Sequence, residues 1–404
     1  MGLRCQEDVL VSRDGYAVID VDAHFALERL NNLIKYLDEP WRTRVAAEPG
    51  LMLPLSLGDR MVGGRIRRDD IPYPRQNEAV IARTGPMTPA KIPGVMERLG
   101  IDASIQINNA LLLMGHLSVR DLAVALCSAY INYMLAEVVD PAKGIYTCVV
   151  APWQDPEEGA AIIHRVGAHP AVVGVCLTSA GANPPLGDIR YNPVYAAAQD
   201  HDLPIVYHSA PGVTLTEGGS GYVDGFQRLI EAHSLGFLLS NQIQLTSVIL
   251  QGVPERYPKL KFVFQESGVF WAPALAYRLD GYYLKRGSEA PLLKALPSEY
   301  LLDRFYFGTQ PIEEPKNPRH LEAIFSMMNG AEHFMFASDY PHFDYDDASA
   351  ITTLSFLSPQ AKANVLAGNA MRVFNFRKGG TQQWESTLSR ELATFPTGVG
   401  SSSS

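Results

Sequence analysis

The chain predicts a parallel α/β architecture of the (β/α)8 TIM-barrel class, and three observations carry that reading. Short, β-branched apolar runs alternate with helical stretches over most of the sequence, the pattern of βα units around a parallel sheet. Eight such runs can be counted, which is the number that closes a barrel. Four of them run into side chains able to bind a cation, and a ring of parallel strands is the fold that gathers the C-terminal ends of remote strands in one mouth.

The first strand, 16–21, leads into Asp22 and His24, whose spacing of two puts both side chains on one face of an extended chain. A segment rich in Gly, Pro and Arg, 36–88, comes next. A barrel does not need it, and loops this long in a compact domain are often functional, so it is read as a cap inserted after strand one and lying over the mouth. Its Arg65, Arg67 and Arg68 are read as solvated charges rather than an anion clamp. Further strands are predicted at 103–107, 145–150, 172–177 and 204–207, the last delivering His208. The remaining three, 261–265, 305–307 and 334–337, include one that meets Glu266 and one that meets Asp339. Helical periodicity marks 119–139, 157–166, 226–251, 272–285, 320–328 and 359–374. Residues 1–378 thus read as a single domain, and 379–404, poor in apolar residues and ending in four serines, as a loose tail.

Composition narrows the function classes. With 404 residues, 47% hydrophobic and 19% charged, the chain can bury one large core. Its formal charge of -9 and scattered Lys and Arg leave no basic stripe, so neither nucleic acid nor an anionic membrane is expected as a partner; a small-molecule substrate is. No run nears the roughly 18 apolar residues of a membrane span, and the N-terminus lacks an apolar signal core, which leads to the expectation of a cytoplasmic enzyme. Cys5, Cys127, Cys148 and Cys176 form no Cys-x-x-Cys pair, which argues against a disulfide framework and a thiolate zinc site.

The imidazoles of His24 and His208 and the carboxylates of Asp22 and Asp339 make a mixed nitrogen and oxygen set suited to one divalent zinc, manganese or ferrous ion. Such an ion can keep a position open for water, lower that water's pKa towards about 7 and polarise a carbonyl. Asp339 is expected both to touch the metal and to accept a proton from water or substrate. Asp20 reads as a hydrogen-bond anchor. Glu266 is a candidate for a metal or catalytic role, against the alternative that it binds backbone amides or an arginine such as Arg278. His233 is a candidate proton donor or substrate contact, against a helix-surface histidine, and His342 beside Pro341 carries the same two readings.

These residues carry a resemblance. Asp20-Val21-Asp22-Ala23-His24, Met87-Thr88-Pro89 leading to Met96-Glu97-Arg98-Leu99-Gly100, Tyr207-His208-Ser209, Gly252-Val253-Pro254-Glu255-Arg256-Tyr257-Pro258, Glu266-Ser267-Gly268 and Ala337-Ser338-Asp339-Tyr340-Pro341-His342 occur in this order. Together they resemble the amidohydrolase-related family, in the branch that contains the aminocarboxymuconate semialdehyde and dihydroxybenzoate decarboxylases. The resemblance implies a distorted barrel with one divalent metal held by Asp22, His24, His208 and Asp339, and a homodimer. Three departures matter. Many relatives have His-x-His where this chain has Asp22 and His24, which moves the preference from zinc towards manganese or iron. The family decarboxylases place a His on the sixth strand, where this chain has Glu266. Residues 175–178 offer no lysine for a carboxylate-bridged metal pair.

The expected activity is therefore metal-dependent hydrolysis or non-oxidative decarboxylation of a small molecule bearing a carbonyl or carboxylate, with the absent sixth-strand His weighing against decarboxylation. A second reading adds Glu266 and His233 to the donors, giving three carboxylates and three imidazoles that could hold two irons and hydroxylate a bulky substrate with oxygen. A third, a catalytically inactive binding barrel, has the intact ligand series against it.

Overall fold

Eight strands lie side by side in chain order: β1 (Ile19–Phe25), β2 (Ala103–Asn108), β3 (Ile145–Val150), β4 (Val172–Thr178), β5 (Ile205–His208), β6 (Phe262–Gln265), β7 (Phe305–Gly308) and β8 (Phe334–Met335). The computed structural model describes residues 15–25, 31–47, 61–62, 65–66, 88–209, 229–342 and 344–376. Every neighbouring pair is parallel. The ring is brought nearly to closure by backbone bonds between β1 and the segment just past β8. Val21 N–H donates to Phe336 O at 3.1 Å, Asp339 N–H to Asp22 O at 2.7 Å and His24 N–H to Tyr340 O at 2.8 Å. This is the (β/α)8 barrel that the alternation predicts.

Parallel strands with helices outside and side chains inside are buried on both faces, and β3 and β4 are accordingly buried at every residue and mostly apolar. Between β6 and β7 the wall is aromatic: Phe262 stacks on Phe305 at 4.7 Å, and Trp271 meets Phe307 edge-on at 5.6 Å. Trp271 is thus a core side chain.

β1 departs from its expected position. It starts at Ile19 rather than residue 16 and runs through Phe25, so Asp22 and His24 lie inside the strand rather than beyond its end. The cause is a bulge: the ladder to β2 shifts register between Asp20 and Ala23, and pairing then resumes with Ala23 opposite Gln106 and His24 opposite Ile107.

Helices α1 (Ile92–Leu99), α2 (Arg120–Tyr133), α3 (Pro156–Val166), α4 (Asn192–Asp200), α5 (Leu229–Leu250), α6 (Trp271–Arg286), α7 (Pro297–Arg304), α8 (Pro318–Met327) and α9 (Pro359–Ala363) fill the connections. Their starts follow sequence rules. Asp155 and Ser358 accept from the Glu158 and Ala361 amides at the N-termini of α3 and α9, and proline occupies the first turn of both. The helix expected over 119–139 is α-helical to Tyr133 and continues as a π turn, Met134–Val138; that over 359–374 contains a similar turn, Asn364–Gly368. Arg120–Val138 is long and apolar enough to cross a membrane, but Leu122, Leu126, Tyr130 and Tyr133 are buried within the fold. Of the expected cap, 36–88, the described parts include a helix, Trp41–Ala47, and a two-residue ribbon of Met61–Val62 against Arg65–Ile66. Residues 48–60, 63–64 and 67–87 of the cap, and the tail 379–404, lie outside the described residues.

Candidate metal centre

β1, β5 and the turn after β8 bring their polar side chains to one place. Asp22 Oδ1 lies 3.1 Å from His208 Nε2 and 3.4 Å from His24 Nε2. On the other side of His24, Asp339 Oδ1 lies 2.8 Å from the same Nε2 and 2.7 Å from His342 Nδ1. Asp22, His24, His208 and Asp339 are fully buried, and His342 is about one quarter exposed. One donor atom from each of Asp22, His24 and His208 lies within 4.8 Å of the others, and the same holds for His24, Asp339 and His342.

This arrangement fits a cation. His208 Nδ1 donates to Ser209 O at 2.7 Å, which leaves Nε2 of the neutral ring as a lone pair aimed at the Asp22 carboxylate. With a neutral ring the two would face each other as acceptors at 3.1 Å, so the pair needs a shared positive charge, a proton or a metal ion. Asp22 Oδ2 and His24 Nδ1 are buried with no hydrogen-bond partner. Buried polar atoms left unmatched are costly and rare in a folded chain, and here they belong to residues of the donor groups. Nitrogen and carboxylate oxygen together suit manganese, zinc or ferrous iron.

Electrostatics sort the protonation states. Burial and the nearby His342 charge lower the basicity of His24, so it remains neutral and able to ligate. Burial opposes charge on His208 too, but the Asp22 carboxylate and the Ser209 carbonyl outweigh it and raise its pKa. For Asp339, burial is overcome by His342 and His24, which hold its carboxyl well below the usual range, and Gln310 Nε2 donates to its Oδ2 at 3.1 Å. Asp339 is therefore an ionised acceptor. Glu266 goes the other way: burial, then the charges of Asp339, Asp22 and Asp344, push its pKa well up and keep a proton on it.

Residues 19–376 match the amidohydrolase family model. The chain belongs to the amidohydrolase family. Solved structures of similar fold include an amidohydrolase from Mycobacterium avium subsp. paratuberculosis, 19% identical with a TM-score of 0.68 over 89% of this chain and 99% of that one. Another is a dihydroxybenzoic acid decarboxylase from Polaromonas sp. JS666 with bound manganese and 2-nitroresorcinol, at 16% identity and TM-score 0.63 over 91% and 98%. A third is a 5-carboxyvanillate decarboxylase from Novosphingobium aromaticivorans with manganese and 4-hydroxy-3-methoxy-5-nitrobenzoic acid, at 18% and 0.64 over 91% and 98%. At such identities the likeness establishes the barrel. A search of curated proteins found no match.

Within this amidohydrolase barrel the remaining predicted residues fall apart from the donor groups. Glu266 sits on the turn after β6 at φ 52°, with Oε2 3.6 Å from His208 Nδ1, the ring edge turned away from Asp22. Among the described residues it makes no ion pair with Arg278, which is exposed on α6. His233 occupies the start of α5 with its ring 4.5 Å from that of Phe237, and it joins neither donor group. Asp20 accepts from Ser338 N–H at 2.8 Å, from Ser338 Oγ at 2.5 Å and from Asp22 N–H at 3.1 Å, a structural tie between β1 and the segment after β8. Burial pushes its carboxyl up to about 7. Two neighbours had no signal in the sequence: Gln265 and Gln310 carry no spacing pattern, and only the closed ring sets them beside Asp22 and Asp339.

Proposed function

We propose that this amidohydrolase catalyses the non-oxidative decarboxylation of a small carboxylic acid with manganese as its ion. Family membership makes it a metal-dependent hydrolase or decarboxylase; the reaction and the ion are the finer reading. Asp22, His24, His208 and Asp339 would hold the metal, and the observation that carries the proposal is two buried donor groups sharing His24, with Asp22 Oδ2 and His24 Nδ1 left unmatched. When bound, the ion supplies a Lewis acid that fixes and polarises a carboxylate or carbonyl oxygen. Manganese is favoured by the extra carboxylate that Asp22 brings and by the manganese in the two decarboxylases of similar fold.

The chain's own side chains supply the proton work. Asp339, ionised and gripped by His24, His342 and Gln310, can accept a proton from a substrate hydroxyl. Glu266 stands where the family decarboxylases have a histidine, and as a neutral acid it can deliver the proton that replaces departing carbon dioxide. Burial of the whole set limits water and strengthens each of these interactions. Hydrolysis is the second reading, favoured by the ionised Asp339, which could equally accept a proton from attacking water.

Manganese-loaded protein incubated anaerobically in deuterium oxide with a panel of hydroxybenzoates tests the choice. The expected result is carbon dioxide release and a product carrying one deuterium at the vacated carbon. Turnover of amides or lactones with none of the acids decarboxylated would replace this reading with hydrolysis. Two irons per chain with oxygen-dependent turnover would replace both with the oxygenase reading.

A further inference from the structure

We infer that Gln265 is a positioning residue for the metal centre: its side chain crosses the barrel interior to hold the bulged peptide of β1 that aims Asp22. The inference rests on Asp22 being a ligand and goes beyond it by naming what sets the ligand's direction.

The bulge in β1 removes the peptide between Val21 and Asp22 from the ladder to β2. Side chains take over both of its polar groups. Asp22 N–H donates to Asp20 Oδ1 at 3.1 Å, and Val21 O accepts from Gln265 Nε2 at 2.5 Å. The next carbonyl, Asp22 O, accepts from Asp339 N–H at 2.7 Å. With both sides of the peptide plane held, the Asp22 backbone is fixed, and its carboxylate arrives 3.1 Å from His208 Nε2. Gln265 is itself fixed at both ends. It pairs with His208 in the β5–β6 ladder, and its own carbonyl accepts from Asn241 Nδ2 of α5 at 2.7 Å. One residue therefore ties the Asp22 peptide to the strand that carries His208.

The orientation of its amide is dictated by chemistry, because only the NH2 end can face the Val21 carbonyl. That leaves Gln265 Oε1 fully buried with no donor. A buried carbonyl without a partner opposes folding; an apolar side chain of the same length removes that oxygen but leaves Val21 O without a donor, so the two effects on stability offset. Gln265 is a residue retained for the site rather than for stability, and the two properties separate under mutation.

The test is Gln265→Met in the full chain, stripped of metal by chelation and titrated with manganese chloride by calorimetry. The expected result is an affinity about 10–100-fold lower than wild type, with the melting temperature of the metal-free protein little changed. In an Asp22→Ala background the same substitution should cause no further loss, because the group it positions is gone. Unchanged manganese affinity, a fall in metal-free stability, or a full additional loss in the Asp22→Ala background would each overturn the inference. If Asp22→Ala alone binds manganese as wild type does, the metal-site reading itself fails. If Asp22→Ala loses the metal and Gln265→Met keeps it, only the positioning role fails.

Discussion

Asp346 shows how a single buried carboxylate near the mouth makes stability depend on pH. Burial, with repulsion from Asp344, Glu314 and Asp339, pushes its carboxyl from 3.8 up to about 7, although Ile312 N–H donates to it at 3.0 Å. Between those values the folded chain binds the proton more tightly than the unfolded chain, so this group's contribution falls as pH rises across that window. Asp346→Asn keeps an acceptor for Ile312 and removes the charge. It should raise the melting temperature at pH 8 by roughly 1 °C, about 1 kcal/mol, with the gain gone near pH 4; thermal melts at the two pH values decide it. Gly268 is a second residue whose identity the backbone dictates. Its φ is 67°, and a Cβ there would meet Glu313 Oε1 at 2.5 Å. That carboxylate accepts the Val269 and Phe270 amides at the start of α6. Gly268→Ala should cost about 1–2 kcal/mol for the left-handed backbone alone, measured by urea denaturation, and should disturb the turn that holds Glu266.

Helix α5 locks the strand ends that carry the site. Its sequence is apolar nearly all round, yet Ser240, Asn241 and Gln244 face inward and are buried. Ser209 Oγ meets Ser240 Oγ at 2.5 Å, Ser179 Oγ donates to Asn241 Oδ1 at 2.6 Å, and Gln244 Nε2 donates to Ser179 O at 2.9 Å. Asn241 also reaches Gln265 O and Ser267 Oγ, so it joins β4 to β6 through one carboxamide. Asn241→Ala leaves several of these groups buried and unmatched. A loss of about 1–3 kcal/mol in urea denaturation is expected, together with weaker manganese binding because Gln265 loses its backbone anchor.

At the scale of the whole molecule, metal binding and folding are linked. An ion present at about 100 times its dissociation constant for the native barrel adds about 2.7 kcal/mol of stability, or roughly 3 °C in melting temperature for a chain this size. Chelation should remove that increment, and His24→Ala or His208→Ala should abolish it; a variant that still shows the full metal-dependent shift would place the ion elsewhere. The increment should also shrink as pH falls below neutrality, because imidazole must be unprotonated to ligate. Scanning calorimetry with and without manganese at pH 6 and 8 reads both effects.

The sequence by itself determined the class of fold and pointed to the candidate donors. Alternating β-branched and helical runs define the βα units through local periodicity, and Asp22, His24, His208 and Asp339 announce themselves as polar groups in or just past apolar strands, where stability alone gives them no reason to be. Tertiary structure decided the rest. A bulge is a pairing event between two strands, so the extension of β1 through His24 and the aim of Asp22 depend on β2, Gln265 and the segment after β8. His342 joined the site, and Glu266 was turned to the far edge of His208, because the backbone past β6 and β8 adopts left-handed conformations at Glu266 and Asp339. Periodicity carries direction only while the chain is regular, and these residues lie where regularity breaks.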